Sequence, residues 1–178
     1  MKLRTKDMIE CSLFTALLCV FGSLAIPIGA VPVTMTIFAV LLSSVVLGYK
    51  KAVASVSVYI LLGIIGFPVF SCARSGLPII LGPTGGYVWS YVFMALISGI
   101  FSQKVNKESE FAISLLGSFI SLAVCYVCGT VQFAILNGTG IYETLAACVL
   151  PFAVFDVIKC VFAVWLGLKI RKNLPYRS

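Results

Sequence analysis

The segment PFAVFDVIK at positions 151–159 determines how the rest of the chain must fold. Asp156 and Lys159 lie three residues apart in a run that is otherwise almost entirely apolar. Residues three apart are neighbours on one face of an α-helix. Each charge would cost about 3 kcal/mol at the centre of a bilayer. The pattern therefore predicts a membrane helix whose two charges face a polar pocket for a solute, with a purely structural ion pair as the alternative.

The composition is that of a membrane protein. The chain has 178 residues, of which 61% are apolar and only 11% are charged. A soluble domain of this size has roughly 25% charged residues. One membrane span needs about 20 residues. We therefore expect an all-α membrane protein, with residues 1–178 as a single integral-membrane domain of six transmembrane helices in one compact bundle.

Glycine, proline and polar clusters divide the chain into six apolar segments. Proline lacks the amide hydrogen that a helix interior needs, and glycine favours turns. A long apolar connection rich in Gly, Pro and Ser separates the third and fourth segments. The predicted helices span residues 9–26, 34–48, 52–66, 84–102, 111–136 and 145–168.

The lysines and arginines predict the orientation of the helices. Eleven of them fall at the two ends of the chain, in the turn after the second helix and in the turn after the fourth, and only Arg74 lies on the opposite side. Basic loops stay in the cytoplasm. Both termini are therefore predicted to be cytoplasmic in a multi-pass protein of the cell membrane. The net charge of +7 then reflects topology within the lipid bilayer, and no nucleic-acid partner is expected.

Several kinds of chemistry are excluded by the sequence. There is no histidine, no phosphate-binding loop with the pattern GxxxxGK[ST], and no paired carboxylates or nucleophile–base arrangement. Most of the seven cysteines lie in apolar runs, where cysteine acts as a small hydrophobe. We expect no metal, no cofactor and no enzymatic activity. A transporter of this size must use an ion gradient or an external ATPase.

The connection before the fourth helix holds further candidates for ligand contacts. Thr84, Gly85 and Gly86 stand at a helix start, where free N–H groups attract anions and glycines let a ligand approach the backbone. Helix packing is the alternative for the two glycines. Other polar or aromatic candidates are Phe70 and Arg74 in a possible lid, Tyr87 beside it, and the amides Gln132 and Asn137 of the fifth helix. For Arg74, a solvated loop charge without a ligand is the alternative.

Small residues recur every four positions in two of the predicted helices. Small side chains let membrane helices approach closely. The spacing predicts packing within the bundle, and for the first helix docking of another protein is a second interpretation. The residues are Ser12 and Ala16 in the first helix, and Gly117, Ser121, Cys125 and Gly129 in the fifth.

With these residues in view, the chain resembles the BioY family, the biotin-specific substrate-binding (S) components of energy-coupling-factor transporters. The resemblance covers most of the chain in order. Four segments carry the resemblance: VPVT at residues 31–34 together with residues 38–42, GIIGFPVF at residues 63–70, LGPTGGY at residues 81–87, and Pro151-Phe152 together with Asp156 and Lys159.

The resemblance implies a six-helix protein that binds biotin near the outer face of the membrane. It implies that Asp156 and Lys159 hold the ligand. It also implies a transmembrane coupling protein and two cytoplasmic ATPase subunits as partners, with the small residues of the first helix docking the coupling protein. The expected function is high-affinity biotin binding in an ATP-driven vitamin uptake transporter. Two alternatives are a self-sufficient ion-coupled permease and a small intramembrane enzyme.

Overall fold

The computed structural model describes residues 5–26, 32–103 and 109–173. Within these ranges the chain is mostly helical, and six long helices lie close to the six predicted ones. The elements are α1 (Thr5–Ser23), β1 (Ala25–Ile26), β2 (Val33–Thr34), α2 (Thr36–Leu47), α3 (Tyr49–Ile65), a 3₁₀ turn (Ser71–Ala73), α4 (Leu77–Leu81), α5 (Gly85–Gln103), α6 (Glu110–Asn137), α7 (Ile141–Cys148) and α8 (Leu150–Asn173).

The centre of the helix packing is α2. All of its residues are buried, and it packs against α1, α3, α5 and α8. Its sequence, TIFAVLLSSVVL, is apolar on every side, which is the pattern of a helix enclosed by others. Its two serines satisfy their hydroxyls within the helix by donating to the Val40 carbonyl at 2.7 Å. These four helices surround α2, and α6 packs outside them against α5 and α8.

The small-residue ridge of α6 forms a close seam with α5, so the packing interpretation is confirmed. The four ridge residues, Gly117, Ser121, Cys125 and Gly129, are buried. A methyl group on Gly117 would lie 2.3 Å from Phe101 Cβ, and one on Gly129 would lie 2.2 Å from the Tyr87 ring. The missing side chains therefore allow α5 and α6 to touch.

The outer surface of the bundle is apolar. Large hydrophobic side chains are exposed along α1, α5, α6 and α8, including Leu13, Phe93, Val127 and Phe155. Soluble monomers rarely expose contiguous patches of this kind. Among the described helices, Gly85–Gln103 and Glu110–Asn137 are long and apolar enough to cross a membrane, and Thr36–Leu47 is apolar but shorter. This exterior suits contact with lipid.

The structure differs from the predicted all-α pattern between the first two helices. The first helix was predicted to reach residue 26, but α1 ends at Ser23 and residues 25–26 form β1. This strand pairs antiparallel with β2, with Ala25 opposite Thr34. Thr34 was predicted to begin the second helix. The pairing of the two short strands holds it in an extended conformation instead.

The second and third helices meet at a single residue. The second helix was predicted to continue to residue 48 and the third to begin at 52. Instead, Gly48 separates α2 from α3 with φ at 77°, a region that favours glycine. A side chain there would also collide with Gln103. Tyr49, Lys50 and Lys51 therefore belong to the first turn of α3.

Two short helices were not predicted. α4 lies in the connection between the third and fourth predicted helices, and α7 covers the second half of the predicted loop 137–144 and the start of the last predicted helix. α7 and α8 are separated at Val149, whose carbonyl accepts hydrogen bonds from Phe152 and Ala153. Pro151 has no amide hydrogen to continue the ladder of α7. The last predicted helix, 145–168, is thus split, and α8 extends further to Asn173.

Replacing Gly117 by alanine tests the α5–α6 seam. The added methyl meets Phe101 Cβ, an atom that cannot swing away, so the helices must separate. We expect a loss of stability of about 1–3 kcal/mol from overpacking, measured by thermal unfolding in detergent. Ala123→Val is the matched control, because Ala123 lies on the exposed side of the same helix. Equal melting temperatures for the two variants would contradict the seam.

Candidate functional site

A cavity of about 220 Å³ lies near the start of α8 and beneath the connection between α3 and α5. Its walls come from elements distant in sequence, so it exists only in the folded chain. A volume near the lower end of ligand pockets indicates a small solute. The lining residues are Pro32, Val33, Thr34, Ile37, Tyr59, Phe70, Ser71, Cys72, Arg74, Ile79, Thr84, Tyr87, Val88, Tyr91, Tyr126, Cys148, Phe152, Asp156 and Lys159.

The charged wall of the cavity is the pair of Asp156 and Lys159. The ammonium donates to Asp156 Oδ1 at 2.8 Å and to the Thr34 carbonyl at 2.9 Å. The Tyr126 hydroxyl donates to Asp156 Oδ2 at 2.7 Å. Asp156 is only 3% exposed. Each carboxylate oxygen can accept a second hydrogen bond, and the ammonium has three donors, so the pair can still bind a polar solute.

The Thr34 carbonyl can accept from Lys159 because the backbone is not helical there. In a helix, the carbonyl of residue 34 would accept the amide hydrogen of residue 38. Here α2 begins two residues later, at Thr36. The hydrogen bond that caps its start runs from the Ala39 amide to the Met35 carbonyl, so the Thr34 carbonyl lies outside the helix. The unpredicted ribbon therefore supplies one of the contacts that hold the buried ammonium.

Aromatic rings form much of the remaining wall. Tyr59 from α3, Tyr87 and Tyr91 from α5, and Tyr126 from α6 all line the cavity. Phe70 is 1% exposed and packs edge-on against Tyr59, with 5.7 Å between ring centroids. Flat apolar faces with polar edges suit a ligand that has a compact hydrophobic body and a few polar atoms.

The Tyr87 hydroxyl is the buried polar group of this wall that lacks a well-formed hydrogen bond within the described part of the chain. It lies beside the Thr130 hydroxyl, which is also buried without such a bond. Leaving a buried hydroxyl unsatisfied costs about 1–3 kcal/mol. The Tyr87 oxygen is closed off from the cavity, which Tyr87 lines with other atoms of its side chain.

Arg74 and Thr84 line the cavity from the connection between α3 and α5. Arg74 is exposed, whereas Asp156 is buried about 9 Å along α8 from its first residue, at 1.5 Å per residue. Since the opposite charges of Asp156 and Lys159 cancel, Arg74 gives the cavity lining a net positive charge. The arrangement favours a solute with an anionic group near the exposed arginine.

The structure brings six of the predicted ligand contacts to one cavity: Asp156, Lys159, Tyr87, Thr84, Phe70 and Arg74. It places Gly85, Gly86 and Gln132 outside the lining, in contacts between α5, α6 and the end of α4. A methyl group on Gly86 would lie 2.4 Å from the Cys128 carbonyl oxygen, and one on Gly85 would lie 1.7 Å from that of Ile80. Asn137 is exposed and donates to the Phe133 carbonyl.

Tyr126, which donates to the second oxygen of Asp156, was not among the residues predicted from the sequence. The sequence feature that could have identified it is a tyrosine inside an apolar helix, because a buried tyrosine hydroxyl needs a hydrogen-bond partner. The same signal marks Tyr59 and Tyr91. Thr34 contacts Lys159 through its backbone carbonyl, so the identity of its side chain could not have predicted this contact.

The BioY family model matches residues 1–176. The chain belongs to the BioY family. It is 36% identical to the biotin transporter BioY of Thermotoga maritima over 94% of this chain and 96% of that protein. It is 34% identical to the probable biotin transporter BioY of Pyrococcus horikoshii over 96% of this chain and 99% of that one.

A solved structure agrees with this assignment to the BioY family. The crystal structure at 2.1 Å of the S-component for biotin from an ECF-type ABC transporter superposes with a TM-score of 0.83. The two sequences are 26% identical, and the superposition covers 95% of this chain and 92% of that chain. The BioY-family fold therefore extends over nearly the whole chain.

A double-mutant cycle tests whether Asp156 and Lys159 depend on each other in this BioY-family chain. Lys159→Met leaves a buried carboxylate without its cation, so we expect a loss of about 3–5 kcal/mol. Adding Asp156→Asn removes that charge and should restore part of the stability. Thermal unfolding of the single and double variants in detergent measures the coupling. Additive losses would show that the ion pair does not couple the two residues.

Proposed function

We infer that this chain is the biotin-binding membrane subunit of an ATP-driven uptake transporter of the energy-coupling-factor type. The observation that carries this inference is a buried ion pair beside a small aromatic cavity in a chain of the BioY family. The cavity explains why the two charges are tolerated within an apolar helix. The subunit binds the vitamin, and other subunits supply the energy.

The chemistry of biotin matches the cavity. Biotin has an apolar bicyclic body, a ureido group with two N–H donors and one carbonyl, and a carboxylate tail. Asp156 accepts hydrogen bonds and Lys159 donates them, so together they can satisfy a ureido group. Phe70 and the tyrosine rings cover the bicyclic body. Arg74 and Thr84 then meet the carboxylate.

In the proposed topology, six helices cross the membrane and both termini are cytoplasmic. The helices are α1, α2, α3, α5, α6 and α8. Support comes from the uneven distribution of lysine and arginine, because Arg74 is the single basic residue in the connections assigned to the outer side. The cavity then opens toward the outside, where the vitamin is taken up. The subunit works within the cell membrane.

The proposed partners are a transmembrane coupling protein and two cytoplasmic ATPase subunits. We place the docking face for the coupling protein on α1 at Ser12 and Ala16, which are exposed. The Ser12 hydroxyl is satisfied by the Met8 carbonyl at 2.9 Å. The opposite face of α1 is held to α3 through Thr15 and Ser55. The small residues therefore form a smooth patch to which another helix can pack closely.

Biotin binding to the purified chain tests the proposed function. We expect Asp156→Asn and Lys159→Met each to weaken binding by about tenfold or more, because hydrogen bonds to charged groups contribute about 1.5–3 kcal/mol. Tyr87→Phe should change binding by less than about twofold without loss of stability, because the hydroxyl that it removes is enclosed and unsatisfied. Isothermal titration and thermal unfolding in detergent measure the two effects.

Tyr142→Phe serves as the control, because Tyr142 is 89% exposed and does not line the cavity. Unchanged affinity in both charge variants would exclude the pair as ligands. Absence of biotin binding by the unaltered chain would overturn the proposed function. Uptake of biotin in liposomes under an ion gradient without ATP would instead show a self-sufficient permease.

A bulky residue on the docking face should separate biotin binding from uptake. Ala16→Trp blocks the close approach of a second helix, and we expect uptake in cells to fall by about tenfold or more, since about 1.4 kcal/mol of lost docking energy is enough. Affinity for biotin should not change. Ala123→Trp is the control on an exposed position of α6. Equal uptake by the two variants would show that Ala16 is not part of the docking site.

A further inference from the structure

Gln132 lies outside the cavity but is bonded to the segment that covers it. We call residues 66–84, which connect α3 to α5, the cover segment. Several of its side chains line the cavity, among them Phe70, Arg74, Ile79 and Thr84. The position of this segment therefore controls both the shape of the cavity and access to it.

The cover segment has few other attachments in its second half. α4 has only five residues, too few for a helix to be stable on its own, and Ile80 is its buried residue. At the start of this half, the Gly76 amide donates to the Gly63 carbonyl of α3 at 2.8 Å. At the end, the Gln132 amide donates to the Ile80 and Gly82 carbonyls at 3.1 Å and 2.8 Å. One side chain of α6 thus fixes the end of α4.

The two glycines at the start of α5 make this contact possible. A methyl group on Gly85 would lie 2.7 Å from the Gln132 amide nitrogen, and one on Gly86 would lie 3.0 Å from Gln132 Cβ. Any side chain at either position would displace the amide. The Gly-Gly pair therefore serves the contact between Gln132 and the cover segment.

We propose that Gln132 is a positioning residue for biotin binding, which holds the cover segment closed through the Ile80 and Gly82 carbonyls. This inference rests on the proposed function. Without the amide, the two carbonyls lose their side-chain donor and the end of α4 separates from α6. Ile79 and Thr84, on either side of the contact, then no longer enclose the ligand. Opening gives the ligand faster access and faster escape.

The test compares Gln132→Leu with Asn137→Leu in the full-length chain. Both changes remove an amide from α6, but Asn137 is exposed and bonds only within its own helix in the structure. Gln132→Glu is a second variant, which keeps the size of the side chain but turns an acceptor toward two carbonyls. Stopped-flow measurements give the association and dissociation rates of biotin. Hydrogen exchange of the ligand-free protein reports opening of residues 77–82.

For Gln132→Leu we expect association and dissociation of biotin both to accelerate, the latter by about thirtyfold, the effect of two lost hydrogen bonds of typical strength. Exchange should increase at residues 77–82 and not elsewhere, and the melting temperature should change little. Asn137→Leu should leave all these values unchanged. A variant that lost a ligand contact would change the dissociation rate alone.

Unchanged rates, or faster dissociation with unchanged association, would overturn the positioning role. Increased exchange along the whole chain with a lower melting temperature would also overturn it, because Gln132 would then be a general structural residue. If the unaltered chain binds no biotin, the proposed function fails. The contact between Gln132 and the cover segment is still decided in that case by exchange at residues 77–82.

Discussion

The burial of Lys159 and Asp156 is the constraint on which the rest of this structure depends. Neither group can remain charged in an apolar helix unless its partners are arranged around it. Besides each other, the two groups have partners from two other places: the Tyr126 hydroxyl on α6 and the Thr34 carbonyl before α2. Satisfying one ion pair thus ties α8 to α6 and to the start of α2.

The other features of the site follow from this arrangement. The extended ribbon leaves Thr34 outside the helix, so its carbonyl is available to the ammonium. The close seam between α5 and α6 places Tyr87 and Tyr126 on the same cavity. The cover segment spans the gap between α3 and α5 and carries Phe70 and Arg74. A small vitamin with a polar head, a hydrophobic ring system and an anionic tail matches these three regions.

The proposed binding site and the proposed docking site lie on different faces of the molecule. The cavity lies among the inner faces of the helices, near the start of α8 and the connection between α3 and α5, while Ser12 and Ala16 of α1 are exposed. Lys51 joins α1 to α3 through Asp7 at 2.5 Å and Glu10 at 2.6 Å, at the end predicted to be cytoplasmic. These bonds and the Thr15–Ser55 contact keep the outward face of α1 in a defined orientation.

Local patterns in the sequence were enough to locate the six long helices, the ion pair and the packing ridge of α6. Apolar length, the three-residue spacing of Asp156 and Lys159, and the four-residue spacing of glycines are all local signals. They also pointed to Phe70, Arg74, Thr84 and Tyr87, which line one cavity in the structure; their contact with a ligand stays a prediction. The two short helices carried only weak signals, because five- and eight-residue helices depend on their neighbours.

The tertiary structure alone decided which polar groups meet. Tyr126 and Asp156 are thirty residues apart, and Lys159 reaches a backbone carbonyl at position 34, so no spacing rule could pair them. Gln132, Gly85 and Gly86 are residue types that often contact ligands. In the structure, however, the close packing of α4, α5 and α6 places them in contact with one another. The sequence by itself determined that charges had to be buried. Helix packing determined their partners, because hydrogen bonds between distant residues depend on distances that only the folded chain sets.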